Sequence, residues 1–291
     1  MSAARIACVL SGGGVKSAAH VGALRALEER GVRPDRYVAT SMGAVVAAAF
    51  AAGCTYDETL RRLLLVTRRD VARVSWSLLS GPFAGGLLQL EPLRDTIARL
   101  VPARRFADLH TPLTVTSVDV ATGELLLFGD GGDSGVPLVD ALTASCALPV
   151  FYPPVVIGGR SCADGGLRAV LPLTTAAAFG PDAIVAVRVG PSFAARPAER
   201  ATRTPPLLMA HNRAMRVLMA AQTDAEIARW RDGPVPLILV EPRVEQAVTF
   251  AVGRAVAYVE EGYRAAVVAL RDSPAATGLF AGGAERPVDR E

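Results

Sequence analysis

The stretch of sequence that decides the fold is IACVLSGGGVKS, which occupies residues 6–17 near the start of the chain. Ile6–Leu10 is a short apolar run typical of a buried strand, and the three glycines after it predict a tight turn. A helix is predicted to begin near Ser17, because apolar residues then recur at helical spacing until Gly31. Strand, glycine turn and helix in this order make a βα unit.

The rest of the chain continues this alternation of strands and helices. Further strands are predicted at Tyr37–Thr40, Leu113–Val118, Leu125–Phe128 and Ile184–Val189, with another near Val155. Helices are predicted at Met42–Ala52, Tyr56–Arg69, Glu91–Leu100, Pro137–Ser145 and Leu207–Ala221. The first of these helices is apolar almost throughout and should be buried on nearly all sides. The alternation predicts an α/β layer fold, with mobile loops at 70–90 and 191–206 and a flexible tail at 273–291.

The composition of the chain excludes several classes of protein. With 291 residues, 51% of them hydrophobic, the chain can bury a core as one large domain or two small ones. A net charge of +3 is too small for a nucleic-acid groove, so no nucleic-acid partner is expected. Four cysteines without a C-x-x-C spacing and only three histidines do not provide a zinc site. The longest apolar stretch, Met42–Cys54, is too short to span a membrane and nothing at the start directs export, so a cytoplasmic location is expected.

The glycine turn and the helix after it place unpaired N–H groups at a helix start, which favours an anion. A phosphate-binding P-loop does not fit, since Val15 and Leu10 stand where that motif has its two glycines. A dinucleotide fingerprint fits little better, because its third glycine is replaced by Ser17 and no acid follows the second strand. The alternative that this glycine turn has only a packing role stays open.

A second strand-to-helix junction lies at Ala39-Thr40-Ser41-Met42-Gly43. This is the setting of the nucleophile elbow G-x-S-x-G, whose tight turn requires small residues two before and two after the serine. Gly43 meets that requirement and Ala39 nearly does, while a simple helix N-cap role for Ser41 stays open. Because parallel strands bring both helix starts to one edge of the sheet, Ser41 is predicted to face Gly12–Gly14, whose N–H groups would stabilise an oxyanion.

A serine nucleophile needs a base, and the sequence offers an acid and three histidines. Asp164, in Ala163-Asp164-Gly165-Gly166, follows a predicted strand, although Asp-Gly pairs are also common in plain turns. His20 lies on the first helix and is expected to be buried and structural. His110 precedes a Thr-Pro loop, and His211 alone follows both the serine and an acid in the order of α/β-hydrolases.

These motifs, in this order, resemble the patatin-like phospholipase family, whose members have a glycine-rich oxyanion loop, a serine elbow and an Asp-Gly-Gly acid. The surroundings of the motifs are similar too, at His20–Glu28, Thr40–Ala44, Asp119–Glu124 and Ser145–Pro149. The match covers roughly Ile6 to Val189. Glu260–Ala266 is similar to the final helix of the family, which implies a single domain at residues 1–272.

The resemblance implies a three-layer α/β/α fold with a mainly parallel central sheet, and a lipid acyl hydrolase that uses no metal or other cofactor. Ser41 would be the nucleophile and Asp164 the base of a catalytic dyad that forms an acyl-enzyme. The oxyanion loop is matched by Gly12, Gly13 and Gly14, and the supports of the elbow and of the acid turn by Gly43, Gly165 and Gly166. Lys16 matches a cation that would brace the loop or meet an anionic headgroup. The substrate would be a phospholipid or another acyl ester, with peripheral contact to a membrane.

The chain departs from the family pattern at three positions. Ala39 replaces the usual elbow glycine, Ser17 replaces a glycine that commonly follows the cation, and Val170 stands where a polar residue is frequent. The extra methyl group of Ala39 should be tolerated if the strand bows slightly. Two other functions stay open: acyl transfer to an acceptor other than water, and a non-catalytic module that binds an anion or nucleotide. The sequence does not decide the oligomeric state.

Overall fold

A computed structural model of the chain describes residues 4–76, 85–192, 205–244 and 252–273. In these ranges eight strands form one sheet: β1 (Ile6–Leu10), β2 (Arg36–Thr40), β3 (Leu113–Asp119), β4 (Leu125–Gly129), β5 (Val155–Ile157), β6 (Arg160–Asp164), β7 (Ala183–Val187) and β8 (Leu237–Val240). Strands β3, β2, β1, β7 and β8 are parallel neighbours in that order. Strands β4 and β6 pair antiparallel with β3, and β5 pairs antiparallel with β6.

Helices cover both faces of the sheet, which gives the three layers that the family resemblance implies. The described residues hold nine α-helices: α1 (Ala18–Glu29), α2 (Met42–Ala51), α3 (Tyr56–Leu64), α4 (Arg68–Val71), α5 (Leu90–Leu100), α6 (Leu138–Cys146), α7 (Leu173–Ala177), α8 (Pro206–Arg231) and α9 (Ala255–Asp272). Because side chains of a strand alternate between faces, Cys8 and Leu10 of β1 pack with α1, α2 and α9, while Ala7 and Val9 pack with α7 and α8. The α/β/α fold class is confirmed.

Helix α2 is buried along nearly its whole length, as its uniformly apolar sequence predicts. The single helix predicted at Tyr56–Arg69 is wrong, since α3 ends at Leu64 and α4 begins at Arg68. The break has a local cause: the N–H of Thr67 donates to the carboxylate of Asp70 at 2.7 Å, and this capping box starts a new helix.

Several other boundaries differ from the prediction. The strand predicted at Ile184–Val189 spans Ala183–Val187, because the N–H of Val189 donates to Oγ of Ser11 instead of continuing a strand. The sequence did not predict β6 or β8, and α8 continues ten residues beyond the predicted end at Ala221.

The predicted loops and tail are described only in part. Within 70–90, the N–H of Ser75 donates to the carbonyl oxygen of Leu87 at 2.9 Å, so two stretches of this segment pair with one another. Residues 77–84 of that segment, 193–204 of the segment 191–206, and 274–291 of the tail lie outside the described residues.

The register of β3 brings the ends of two other strands together. Thr40, the last residue of β2, pairs with Thr116, and Asp164, the last residue of β6, pairs with Ser117. Strand β4 occupies the opposite edge of β3 over these same positions, so β2 and β6 follow one another along one edge. Their carboxyl ends therefore meet, and Ser41, one residue beyond β2, lies beside Asp164.

Candidate active site

Ser41 forms the turn between β2 and α2 in a backbone conformation that residues other than glycine rarely adopt. Its φ is 55° and its ψ is −137°. Such a conformation costs about 1–3 kcal/mol and persists only where the surrounding structure enforces it. The Ser41 N–H donates to Oγ of Ser145 at 2.8 Å, and the Ser41 carbonyl oxygen accepts from the N–H of Ala44 at 2.8 Å. These two bonds hold the turn, which places the Ser41 side chain on the wall of a cavity.

The tightness of this turn explains the residues on either side of the serine. A Cβ atom on Gly43 would lie 2.3 Å from the carbonyl oxygen of Ser11 and 2.8 Å from that of Leu10, so no side chain fits there. Ala39 pairs in regular register with Leu10 on β1 and with Val115 on β3. Its methyl group is fully buried and neither ladder is broken there, so the strand accommodates the alanine.

Asp164 lies at the end of β6 with both carboxylate oxygens bonded. Oδ2 accepts from Oγ–H of Ser41 at 2.8 Å, and Oδ1 accepts from the N–H of Gly166 at 2.8 Å. The Asp164 side chain is buried, and burial raises its pKa to about 6, against the lowering effect of these two hydrogen bonds. A carboxylate with a raised pKa that already accepts a hydrogen bond from a hydroxyl can take the proton of that hydroxyl.

A pair of threonines beneath the site joins the end of β2 to the middle of β3. Oγ1 of Thr40 donates to the carbonyl oxygen of Ala169 at 2.7 Å, and it lies 2.7 Å from Oγ1 of Thr116, which therefore donates to it. Gly165 passes so close above Thr116 that a Cβ there would lie 2.3 Å from Oγ1 of Thr116. Glycine is thus required directly after the acid.

The glycine loop lies next to Ser41, as predicted, but its three residues are not equivalent. A Cβ on Gly12 would lie 3.3 Å from Cβ of Ser41, which places the loop in contact with the turn. The N–H of Gly12 is engaged, since it donates to the carbonyl oxygen of Val170 at 3.0 Å. Within the described residues, the N–H groups of Gly13 and Gly14 have no acceptor, so these two are the available donors.

Lys16 lines the same cavity as Ser41. It is only 5% exposed, and burial, followed by repulsion from Arg216, lowers its pKa to about 8. In the part of the chain that the structure describes, the Lys16 ammonium forms no hydrogen bond or ion pair with a protein group. A buried cation without a carboxylate partner favours an anion in the cavity.

The three histidines do not take part in this arrangement. His20 is fully buried, and its Nε2 lies 2.9 Å from the carbonyl oxygen of Ser11, to which it donates. Burial lowers the His20 pKa to about 4, so the ring is neutral and structural, as predicted. Among the described residues, neither His110 nor His211 forms a hydrogen bond with Ser41 or with the acid.

The cavity has a volume of about 170 Å³, and its lining combines polar and apolar groups. Ser41, Asp164, Lys16 and the glycine loop supply the polar part. Much of the remainder is lined by apolar side chains of α3 to α5, of the segment between α3 and α4 and of the segment after α6, among them Leu63, Val66, Val71, Leu93, Ile97 and Phe151. Met219 of α8 also lines the cavity. An apolar chain therefore fits beside the reactive groups.

Sequence reasoning missed Ser145, whose hydroxyl holds the Ser41 backbone. Leaving a buried N–H without an acceptor costs about 1–3 kcal/mol, so this contact matters for a strained turn. The segment Ser145–Pro149 resembles the family, but no spacing in the chain links residue 145 to residue 41. Only the packing of α6 against α2 and β3 brings them together.

Metal-binding clusters and membrane-spanning helices are both absent from the described residues. His, Cys, Asp and Glu side chains do not gather there in groups of three or more that could hold a metal ion. Among the helices in the same ranges, none combines the length and the apolar character needed to cross a bilayer.

The chain is similar to known proteins of one family. A model of the patatin-like phospholipase family matches residues 8–177. An uncharacterized NTE family protein of Mycobacterium tuberculosis is 34% identical over 200 residues, 68% of this chain and 53% of that protein, so the chain spans about half the length of this relative. The patatin-like phospholipase domain-containing protein 7 of Mus musculus is 30% identical over 196 residues, 64% of this chain and 14% of that protein.

Among solved structures, VipD from Legionella pneumophila aligns with a TM-score of 0.53 at 16% identity. The alignment covers 94% of this chain and 67% of that one. At this identity the similarity is one of fold.

Proposed function

Because the chain belongs to the patatin-like phospholipase family, we propose that it is a lipid acyl hydrolase that cleaves carboxylic esters through an acyl-enzyme on Ser41. The observation that carries the proposal is the 2.8 Å hydrogen bond from Oγ of Ser41 to Oδ2 of Asp164, on the wall of a cavity that is otherwise lined largely by apolar side chains. A hydroxyl, a basic carboxylate and unpaired N–H groups in one place are the parts that ester cleavage needs.

In the proposed first half of the reaction, Oγ of Ser41 attacks the ester carbonyl carbon while its proton passes to Oδ2 of Asp164. The carbonyl oxygen becomes an oxyanion and accepts hydrogen bonds from the N–H groups of Gly13 and Gly14. The tetrahedral intermediate collapses, the bond to the alcohol breaks, and the alcohol leaves with the proton from Asp164. Ser41 is left as an acyl ester.

In the second half, a water molecule attacks the acyl-enzyme and gives its proton to Asp164. The bond between the acyl group and Oγ then breaks, and the proton returns to Ser41 as the carboxylic acid leaves. The Gly166 N–H holds the second oxygen of Asp164 and keeps the carboxylate aligned throughout. The acyl chain would lie against the apolar side chains of α3 to α6.

We assign to Lys16 the role of binding the anionic group of the substrate. Lys16 lines the cavity, and its ammonium has no carboxylate partner among the described residues, so a phosphate beside the scissile ester would gain from it. This role favours phospholipids over neutral esters of the same acyl chain.

A panel of p-nitrophenyl esters and defined phospholipids, incubated with wild type and with Ser41→Ala, tests the function. We expect hydrolysis by wild type and a loss of at least about a thousandfold in Ser41→Ala, because the alanine variant has no nucleophile. Analysis of products with and without an added alcohol separates hydrolysis from acyl transfer. Equal rates in the two proteins, with both folded by circular dichroism, would exclude Ser41 as the nucleophile.

The pH dependence of hydrolysis should follow the ionisation of Asp164. The base must be deprotonated, and burial raises its pKa to about 6, so kcat/KM should fall about tenfold for each pH unit below 6 and level off above it. A neutral p-nitrophenyl ester is the substrate of choice here, since it does not respond to the charge of Lys16. A profile that stays flat between pH 5 and 7 while the fold is intact would argue against Asp164 as the base.

A further inference from the structure

The segment of residues 61–76, which includes the end of α3 and all of α4, exposes several large apolar side chains. Exposed apolar residues scattered singly over a surface are ordinary, whereas a cluster in one short segment is not. In this segment the exposed fractions are 50% for Leu64, 75% for Leu65, 63% for Val74 and 80% for Trp76. We call this surface the outer face of the segment.

The same segment is strongly cationic. It contains five arginines and one acid, Asp70, an excess of four positive charges, whereas the whole chain has a net charge of only +3. The Asp70 carboxylate is engaged by Arg99 at 2.8 Å, outside the segment. The side chains of Arg61, Arg69 and Arg73 are exposed and form no ion pair with any group that the structure describes. The positive charge is therefore available to a partner.

The opposite side of the segment forms a wall of the cavity that contains Ser41. Leu63, Val66 and Val71 lie between the exposed residues in sequence, and all three line that cavity. An α-helix with its side chains is about 10 Å thick. Where the segment is helical, its exposed residues and its cavity-lining residues thus belong to one layer about as thick as a single helix.

We propose that the outer face of residues 61–76 docks onto the surface of an anionic lipid bilayer. The purpose assigned to this contact, delivery of lipid to Ser41, rests on the proposed function. Arginines would pair with the lipid phosphates, while Trp76 and Leu65 would enter the boundary between headgroups and acyl chains, where tryptophan is favoured. A nucleic acid would use the arginines but would gain little from exposed leucine and valine, so the mixed surface favours lipid.

Co-sedimentation with vesicles tests the proposal. We expect wild type to bind vesicles of phosphatidylcholine that contain phosphatidylglycerol, and to bind pure phosphatidylcholine vesicles much more weakly. Replacing two arginines, in Arg69→Gln/Arg73→Gln, should weaken binding about 30-fold, since each cation near an anionic surface contributes roughly one power of ten or somewhat less. Leu65→Ser/Trp76→Ser should weaken it about tenfold or more through the lost apolar contact.

The matched control is Arg33→Gln/Val156→Ser, which changes an exposed arginine and an exposed valine outside the segment. This control should bind like wild type, whereas losses equal to those of the segment variants would overturn the proposal. Failure of wild type to bind the anionic vesicles would overturn it as well. So would tight binding to a single-stranded oligonucleotide that depends on Arg69 and Arg73 but not on Trp76.

A soluble short-chain ester separates this proposal from the proposed function. The segment variants should hydrolyse p-nitrophenyl butyrate at the wild-type rate, because none of the changed residues lines the cavity. Wild type that binds anionic vesicles but hydrolyses no ester would leave the docking surface in place and remove the proposed function. Wild type that hydrolyses the soluble ester but does not bind the vesicles would remove the docking surface and leave the proposed function in place.

Discussion

Asp164→Asn is expected to lower ester hydrolysis by about a thousandfold, in the middle of the range for loss of a positioned base. Asparagine keeps the size of the side chain and can still accept a hydrogen bond from Ser41, but its amide oxygen cannot take up the proton. The expected loss therefore reports proton transfer and not a change of shape. The measurement is kcat/KM on a p-nitrophenyl ester.

The matched control for this variant is His211→Ala, which removes the histidine that stands in the hydrolase order of the sequence. His211 forms no hydrogen bond with Ser41 or Asp164 in the described part of the chain, so most activity should remain. Thermal unfolding of both variants shows whether the fold is intact. A large loss in His211→Ala together with a small loss in Asp164→Asn would replace the dyad with a histidine triad.

Gly43→Ala is also expected to have a large effect on hydrolysis, because the backbone around residue 43 leaves no space for a methyl group. The new Cβ would lie 2.3 Å from the carbonyl oxygen of Ser11 and 2.8 Å from that of Leu10, both of them backbone atoms at the end of β1. The turn at Ser41 would have to move, and overpacking of this kind costs about 1–3 kcal/mol of unfolding free energy. We expect hydrolysis to fall at least about a hundredfold, since a displacement of about 1 Å at the reacting atoms has that effect.

Gly253→Ala makes the same chemical change where the described residues leave space, since none of their atoms lies within 4 Å of the added Cβ. This control should keep wild-type activity and stability. The midpoint of chemical denaturation and kcat/KM, measured for both variants, give the comparison. If Gly43→Ala has the same denaturation midpoint and the same kcat/KM as wild type, the turn at Ser41 is looser than the described geometry.

The parts of the fold that depend on local sequence were predictable. Ile6–Leu10 is buried from end to end and the chain then turns on glycine, so β1 and α1 follow from a short stretch. Helix α2 was predicted because its apolar residues are continuous. Ser41 and the glycine loop were placed together by a general property of parallel sheets, which bring successive helix starts to one edge.

The features that the sequence did not predict depend on distant partners. Strand β6 ends beside β2 only because both pair with one edge of β3, and neither segment encodes that register by itself. The role of Ser145 and the pairing of the Gly12 N–H with Val170 are contacts across more than a hundred residues. The break between α3 and α4 is local, and Thr67 with Asp70 three residues later was a readable signal for it.

The central claim is that Ser41 is a nucleophile activated by Asp164, and the most direct test is the rate at which a fluorophosphonate reacts with the protein as a function of pH. Intact mass and peptide mapping identify the modified residue. The structure predicts a single adduct on Ser41, absent from Ser41→Ala, that forms faster as pH rises through about 6, where Asp164 loses its proton. An adduct on another residue, or no adduct on the folded protein, would contradict the claim.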